Sequence, residues 1–441
     1  SRFYAFANAN EKREEKYRMK KIMTSVLIVI LLFSLVVGCS RGTESGSDSS
    51  KVKLTVFSTI NDEEGKAAFQ EITKQFEKEN PNIDVEVNFP GQEYENILKV
   101  KMAANDLPDV FDTHGWAQIR YGKYVADLSK ESWASNLTDS MKPVLTDESG
   151  KVYALPLNEA KDGIMYNANI LEKYGIKPPA TFDELLAAAE KIKKESNGQI
   201  IPFYFSGVDS WTIGQFFDYF STSLLVSPKE NYSQDLLNGT FDWSKWTYLP
   251  EKFKEMYKKG LINKDVLTAK YSDLPKLFAE GKVAFAMMGP VFVGQAKEIN
   301  PNVKVGYMPV PSIVQGDEPT FSGGERNTLA VWKDSKNLNE AIKFVNFFAQ
   351  SDNLKKIAEA TGLPAGLKGI DPDLGDLTKY YEEYADIRVF PYFDRVYLPN
   401  GMWDVMCTNG QEIIAGSITP KQFSENMKKQ YQRLREQQKA Q

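Results

Sequence analysis

Two side chains that carry much of enzyme and metal chemistry are scarce in this chain. Among 441 residues there is a single histidine, His114, and there are two cysteines, Cys39 and Cys407. A catalytic scheme that pairs serine or cysteine with histidine would have to use His114. The sequence lacks CxxC, HExxH and P-loop patterns, and Gly323-Gly324 is not part of a GxGxxG fingerprint. We therefore expect no metal ion and no cofactor.

An excess of basic charge is also missing. The chain has 54 Lys/Arg against 59 Asp/Glu, a net charge of −5. Residues 1–39 hold seven of the basic and three of the acidic residues, which leaves −9 for residues 40–441. We therefore expect no nucleic-acid partner. The 42% apolar and 26% charged content is typical of a soluble globular protein, and the length suits two lobes.

One apolar run, at residues 22–38, follows a basic pair and ends just before Cys39. A basic start, an apolar stretch and a small residue before the cut are the layout of a secretory signal. The run is shorter than the roughly 20 residues of a membrane span. Its end, Val36-Val37-Gly38-Cys39, resembles the lipobox of bacterial lipoproteins. In that class the cysteine receives a diacylglyceryl group and the chain is cut just before it.

This resemblance divides the chain. Residues 1–39 are expected to be upstream residues and a lipoprotein signal peptide, with Cys39 as the lipid anchor on the extracellular face of the cell membrane. Mixed charge ahead of the signal suggests that translation starts at Met19. The Ser/Gly-rich residues 40–50 predict a flexible tether. With Cys39 lipidated, Cys407 has no partner for an intramolecular disulfide, and we expect a monomer.

From residue 51 onward, strand and helix patterns alternate, which predicts an α/β fold with right-handed crossovers and a mostly parallel sheet. Asn61 is predicted to cap the first helix. The predicted strands are Lys51–Ser58, Ile83–Phe89, Leu107–Phe111, Lys151–Pro156, Gly163–Tyr166, Ile200–Phe205, Lys282–Met288, Val303–Met308 and one within Phe321–Val331. The predicted helices are Asp62–Asn80, Tyr94–Ala104, Thr181 to about Ser196, Trp211–Leu225, Glu251–Gly260, Leu274–Glu280, Leu338–Gln350, Asp352–Ala360 and Pro420–Gln437.

Polar and aromatic residues follow the carboxyl ends of these strands, the edge where ligands bind in open α/β sheets. A site for a polar sugar needs flat aromatic faces and a few donors and acceptors. Asp112 would accept hydrogen bonds, tryptophans would provide faces, and glycines would let the backbone approach the ligand. The candidate ligand-binding residues are Thr59, Asn61, Asp112, His114, Trp116, Asn158, Trp211, Gly289, Gly323, Gly324 and Trp403.

Four blocks of sequence resemble family 1 extracellular solute-binding proteins, the carbohydrate-capturing lipoproteins of ABC importers. The blocks begin at Phe69, Leu107, Leu171 and Leu277, and read FQEITKQFEKENPNIDVEV, LPDVF, LEKYGIKPPATFDEL and LFAEGKVAFAMMGP. A fifth, FSGG, begins at Phe321. Each block is weak alone, but their order and spacing make the match specific.

The resemblance implies a two-lobed periplasmic-binding-protein-like fold of type II, with the ligand cleft between the lobes. Lobe 1 would comprise residues 51–158 plus 301–350, and lobe 2 residues 159–300 plus 351–441.

In similar maltose-binding proteins, sugar contacts come from the loop after a PDxxF-like strand, the segment after Gly-Pro and a late tryptophan. These places fall here on Asp112–Trp116, Gly289–Phe292 and Trp403. The maltose binders have an aromatic residue after Gly-Pro, where this chain has Val291, so maltodextrin is doubtful as the ligand.

The function implied is that of an extracellular substrate-binding lipoprotein, not an enzyme. It would capture a mono- or oligosaccharide by hinge closure and deliver it to the ABC permease subunits in the membrane. Three alternatives stay open: a secreted sugar-cleaving enzyme with an Asp/Glu pair, a sensor for a signalling receptor, and a binder of a non-sugar cargo such as a polyamine, glycerol phosphate or an oligopeptide. An acidic ligand would need a positive group, which Arg326 or Arg395 could supply.

Overall fold

Two lobes, each with its own hydrophobic interior, make up residues 51–440, the part of the chain that the computed structural model describes. The predicted signal peptide, Cys39 and the tether lie outside the described residues. The strands are β1 (Val52–Phe57), β2 (Ile83–Asn88), β3 (Val110–Phe111), β4 (Leu155–Pro156), β5 (Glu159–Asp162), β6 (Ile164–Asn167), β7 (Ile201–Phe203), β8 (Val226–Ser227), β9 (Glu230–Asn231), β10 (Val283–Ala286), β11 (Val305–Met308), β12 (Phe321–Glu325), β13 (Thr328–Val331) and β14 (Val389–Pro391).

The α-helices lie between and after these strands, as the alternating pattern predicts. Within residues 51–440, no helix is long and apolar enough to cross a membrane. The helices are Glu63–Glu79, Tyr94–Ala103, Lys142–Leu145, Ala168–Tyr174, Phe182–Glu195, Trp211–Leu225, Ser233–Asn238, Tyr248–Lys258, Leu274–Ala279, Val291–Ile299, Leu338–Phe348, Ser351–Thr361, Thr378–Glu383, Phe393–Tyr397, Met402–Ala415 and Pro420–Ala440.

The first lobe is built on a sheet of order β2-β1-β3-β13-β4. β1 pairs in parallel with β2 and β3, because helices Glu63–Glu79 and Tyr94–Ala103 return the chain to the same edge each time. β13 then pairs antiparallel with β3 and β4. The expectation of a mostly parallel sheet therefore holds for the first three strands and fails for the last two.

The first helix is capped by a residue other than the predicted one. The Asp62 carboxylate accepts a hydrogen bond from the backbone N–H of Gly65 at 2.6 Å, and Asp62 has the extended backbone of an N-cap. Asn61 is exposed just before it. Phe69 and Phe76 on the opposite face are fully buried in the first core.

The second lobe contains a sheet of order β11-β6-β10-β7, and a third sheet, β14-β12-β5, lies where the chain passes from one core to the other. Leu157 packs in the first core and Ala160 in the second, so β5 is a crossing segment. β12 and β13 bring the chain back, since Phe321 packs in the second lobe and Leu329 in the first core. A third crossing follows Leu367.

Two segments pack with a different core from the one that the resemblance implied. β11 was expected in lobe 1, but it pairs antiparallel with β6 of the second sheet. Helix Ser351–Thr361 was expected in lobe 2, but its Leu354 and Ile357 are buried in the first core. We infer that the second and third crossings lie near residues 320 and 370, about 20 residues later than expected, because strand pairing and apolar packing fix them.

Gly323 of β12 gives a test of how tightly the crossing strands pack. A Cβ atom there would collide with Val389 of β14 and lie 2.5 Å from the carbonyl oxygen of Ala160 on β5. We expect Gly323→Ala to lower the free energy of unfolding by about 1–3 kcal/mol, measured by urea titration. Gly294→Ala is the matched control: it meets no atom within 4 Å in its helix, and it should raise stability by about 0.5–1 kcal/mol. Equal effects of the two substitutions would contradict this packing.

Candidate functional site

Asp112, at the end of β3, organises the loop that follows it. One carboxylate oxygen accepts hydrogen bonds from the backbone N–H groups of His114 and Thr328, at 2.9 and 3.1 Å. The other accepts from the hydroxyl of Thr59 and, at 3.3 Å, from the amide of Asn327. Asp112 is fully buried and both of its oxygens have protein donors. In this structure Asp112 and Thr59 fix the loop, and neither carboxylate oxygen is left over for a ligand.

Asn158 has a similar structural role at the first crossing. Its amide donates to Asn327 at 2.9 Å and to Thr361 at 3.0 Å, and its oxygen accepts from the backbone N–H of Asn327 at 2.9 Å. These bonds join the first crossing to the second. Asn158 is fully buried.

A different feature of the surroundings explains the glycine at each of the three predicted positions. Gly323 lies between closely packed strands, as described above. Gly324 has φ of +147°, a conformation that favours glycine, and lies against the ring of Tyr392. A Cβ at Gly289 would meet only the Arg326 guanidinium, at 3.5 Å. Gly289 therefore leaves room next to a cation.

His114 has φ of +48° and contacts an ionic network. Its Nδ1 lies 2.9 Å from one oxygen of Glu95, and the other oxygen accepts a 2.5 Å hydrogen bond from Arg120. Burial opposes ionisation of Glu95, but His114 and Arg120 outweigh it and lower the pKa of this carboxyl below its usual value. Arg120 Nε also donates to Asn400 at 3.0 Å. This network connects the first lobe to the segment before helix Met402–Ala415.

Trp116 is buried and its ring is covered by cations. Its Nε1 donates to Asp394 at 3.1 Å. The guanidinium carbons of Arg120 and Arg395 lie 3.8 and 4.0 Å from the ring centroid, which is cation–π geometry. The prediction that Trp116 offers a free face to a sugar therefore does not describe this conformation.

Trp403 and Trp211 are the more accessible of the predicted tryptophans, both half-buried. Trp403 packs against both hydrophobic cores, and the Arg395 guanidinium lies 4.9 Å from its ring centroid. Trp211 meets Tyr271 edge to face, at 5.1 Å between centroids. Trp403 thus lies where the two lobes meet.

A group of buried charged side chains surrounds Arg395, and sequence reasoning missed its acidic members. Asp218 Oδ2, Glu325 Oε2, Asp394 Oδ1 and Arg395 Nε are all buried without a hydrogen-bond partner among the described residues. Each such atom costs about 1–3 kcal/mol if it stays unpaired. We call Asp218, Glu325, Asp394 and Arg395 the Arg395 cluster. Its unpaired atoms are suited to the hydroxyl groups of a ligand or to water.

Hydrogen bonds within the cluster and to neighbouring residues hold two of its carboxylates in place. Asp218 accepts from the backbone N–H of Asp394 at 2.8 Å, and Glu325 accepts from Thr113 and from the backbone N–H of Ala117, both at 2.9 Å. One signal could have found Asp218 in the sequence: it is a carboxylate in the middle of the otherwise aromatic and weakly polar helix Trp211–Leu225.

Burial controls the charge state of the cluster. It raises the pKa of Asp218 to about 7 and that of Glu325 to about 7, although the positive charge of Arg395 acts in the opposite direction on both. Burial also raises the pKa of Asp394. Asp218 and Glu325 therefore change protonation state near neutral pH, so each of these carboxyls can donate or accept hydrogen bonds.

Comparisons with known proteins point to one family. The sequence profile of the family described as bacterial extracellular solute-binding protein matches residues 61–355. The melibiose/raffinose/stachyose-binding protein MelE of Bacillus subtilis (strain 168) is 48% identical over 419 residues, covering 95% of this chain and 98% of that protein.

Two solved structures are similarly close. A sugar transporter from Bacillus licheniformis, in complex with stachyose, is 52% identical with a TM-score of 0.80, covering 87% of this chain and 100% of that chain. A putative binding protein from Bacillus subtilis in an open conformation is 49% identical with a TM-score of 0.80, covering 89% of this chain and 100% of that chain.

The raised pKa of Asp218 predicts a pH-dependent stability. Its native pKa lies above the ordinary value of 3.8, so the native state binds more protons than the unfolded state between about pH 4 and pH 7. The free energy of unfolding therefore falls as the pH rises through this window. We expect Asp218→Asn to gain about 2 kcal/mol relative to wild type between pH 5 and pH 7.

Urea unfolding of the sugar-free protein at pH 5, 6, 7 and 8 measures this gain. The control is Asp84→Asn, which changes an exposed carboxylate on β2. A stability difference between wild type and Asp218→Asn that stays constant with pH would contradict the raised pKa of Asp218.

Proposed function

Since the chain belongs to the bacterial extracellular solute-binding protein family, we propose that it captures an oligosaccharide of the melibiose, raffinose and stachyose type and delivers it to the permease of an ABC importer. The observation that carries this proposal is the 48% identity to the melibiose/raffinose/stachyose-binding protein over 95% of this chain. The 52% identical structure in complex with stachyose supports the same ligand class.

The charge balance of the Arg395 cluster favours a neutral sugar over an acidic or phosphorylated one. Three carboxyl groups, those of Asp218, Glu325 and Asp394, accompany the guanidinium of Arg395. An added carboxylate or phosphate would be repelled by whichever of these groups is ionised. Sugar hydroxyls can donate to carboxylates and accept from guanidinium N–H groups, so they match the cluster without a change in its charge.

Ligand capture is proposed to work through closure of the lobes. Residues of the Arg395 cluster come from helix Trp211–Leu225, from the crossing strand β12 and from the segment around helix Phe393–Tyr397. A sugar that bonds to all of them favours the closed arrangement, because its contacts are complete only there. The permease then receives the closed form.

The proposed location is the outer face of the cell membrane. We infer a signal peptide within residues 1–39, a diacylglyceryl group on Cys39, the tether 40–50 and a monomeric protein. The lipobox-like ending supports the anchor, which lies outside the described residues.

Isothermal titration of residues 51–441 tests the ligand class. We expect binding of melibiose, raffinose and stachyose, and at least tenfold weaker binding of maltotriose and of galacturonic acid. Arg395→Gln should abolish measurable binding, because it removes the cation that contacts Trp116, Tyr392 and Trp403. Arg433→Gln is the matched control, since Arg433 is exposed on the last helix and should leave affinity unchanged.

The same samples separate binding from cleavage. After overnight incubation, chromatography should recover each sugar intact. Release of galactose that disappears in Glu325→Gln would favour a sugar-cleaving enzyme instead. Tight binding of a peptide or polyamine, with no sugar binding at all, would reject the proposed ligand class.

Substitution of Cys39 tests the lipid anchor. After expression in Bacillus subtilis, we expect Cys39→Ala to prevent incorporation of labelled fatty acid and to move the protein out of the detergent phase of a Triton X-114 partition. Cys407→Ala is the control, because this buried thiol should have no part in anchoring. Labelling of the Cys39→Ala protein would contradict the proposal.

A further inference from the structure

A second charged pair lies next to the Arg395 cluster. Arg326 directly follows β12, and its Nη1 lies 3.6 Å from Asp162 Oδ2 on β5. The same Asp162 oxygen accepts hydrogen bonds from the hydroxyls of Tyr392, at 2.5 Å, and Tyr219, at 3.1 Å. Asp162 is 1% exposed, so its position and orientation are fixed by buried partners.

Arg326 differs from Asp162 in its exposure. Its side chain is 37% exposed, whereas that of Asp162 is 1% exposed. A guanidinium has five N–H donors, and the contact with Asp162 engages only Nη1. A Cβ built on Gly289 would lie 3.5 Å from Arg326 Nη2, so the glycine leaves this nitrogen uncovered on its side. Arg326 therefore presents donors towards an open position.

The surroundings of Arg326 fit a sugar. The Tyr271 hydroxyl donates to Gln295 at 3.1 Å in helix Val291–Ile299, which begins two residues after Gly289. The positive charge of Arg326 acts on Tyr271, and Trp211 packs edge to face against the same ring. Aromatic rings with an amide and a guanidinium are the groups that hold hydroxyl-rich ligands.

Two further buried polar atoms, on β5 and β12, lack hydrogen-bond partners within residues 51–440. Asp162 Oδ1 and Ser322 Oγ have no hydrogen-bond partner among the described residues. Ser322 is the cross-strand neighbour of Asp162 in the β5–β12 pair, so both side chains emerge on the same face of the crossing sheet. Asp162 Oδ1 belongs to the carboxylate whose other oxygen lies 3.6 Å from Arg326 Nη1, so this unpaired atom is close to the guanidinium.

Tyr392 connects the pair to the Arg395 cluster. The Arg395 guanidinium lies 4.8 Å from the Tyr392 ring, and the hydroxyl of the same ring bonds to Asp162. Tyr392 therefore contacts Arg395 with its ring and contacts Asp162, the partner of Arg326, with its hydroxyl. The unpaired atoms of the Arg395 cluster are buried, whereas the Arg326 side chain is 37% exposed, so Arg326 lies nearer the protein surface.

We propose that Arg326, positioned by Asp162, binds an outer sugar unit and so sets the preference of the protein for longer oligosaccharides. This inference rests on the proposed function and deepens it. The inner unit binds at the Arg395 cluster. A short ligand that fills the inner place leaves Arg326 without a partner, whereas a longer one reaches it.

Titration of the Arg326→Gln variant with melibiose, raffinose and stachyose tests the proposal. We expect affinity for stachyose to fall about tenfold and that for melibiose to change less than twofold, because only the longer ligand loses a charge-assisted hydrogen bond. Arg326→Lys keeps the charge without the planar fork and should give an intermediate loss for stachyose. Arg433→Gln serves as the matched control.

The pattern across ligands separates the possible roles. An equal loss for all three sugars would assign Arg326 a structural role and overturn the proposal, as would no loss for any of them. A larger loss for melibiose would place Arg326 at the inner unit and overturn it too. If the wild-type protein binds none of the three sugars, the proposed function itself is rejected. This outcome is distinguishable from failure of the Arg326 proposal, in which the wild-type protein binds the sugars. Should Arg326→Gln lower the melting temperature markedly, Arg326→Lys gives the same comparison in a folded protein.

Discussion

The candidate site is arranged around Arg395, whose positive charge lies between the two lobes and requires opposite charge nearby. A guanidinium removed from water is unfavourable unless opposite charge and polarisable partners surround it. Arg395 has the rings of Trp116, Tyr392 and Trp403 around it, and its charge acts on Asp218, Glu325 and Asp394. These partners come from both lobes and from the crossing segments. The same residues that satisfy this cation therefore also define where the lobes meet.

Much of the fold was predictable because local patterns determine it. The helix Trp211–Leu225 has the predicted bounds, and the helix predicted from Thr181 starts there, with a capping box formed by Thr181 and Glu184. The comparisons confirm the resemblance to family 1 solute-binding proteins, the fold that it implies and the role as a sugar-binding protein of an ABC transporter. The membership of β11 in the second sheet was not predictable from local pattern, since strand pairing joins residues about 140 positions apart.

The site was less predictable than the fold, for a physical reason. Of the residues singled out, Trp403 lies at the meeting of the lobes and Gly289 lies beside Arg326. Asp112 and Asn158 instead hold loops together, because both follow strands but point into buried hydrogen-bond networks. Asp218 and Glu325 of the Arg395 cluster lie far along the chain from each other and from the adjacent pair Asp394 and Arg395. No local pattern relates them, and only the fold brings them together.

The three chain crossings have a mechanical consequence. A single linker would let two bodies rotate about any axis, whereas three linkers, two of them paired in the β14-β12-β5 sheet, resist torsion and sliding. What remains is mainly flexion about one line. The proposed closure would then end in nearly the same arrangement of the lobes for ligands of different size, and a membrane permease could recognise that arrangement without contacting the ligand.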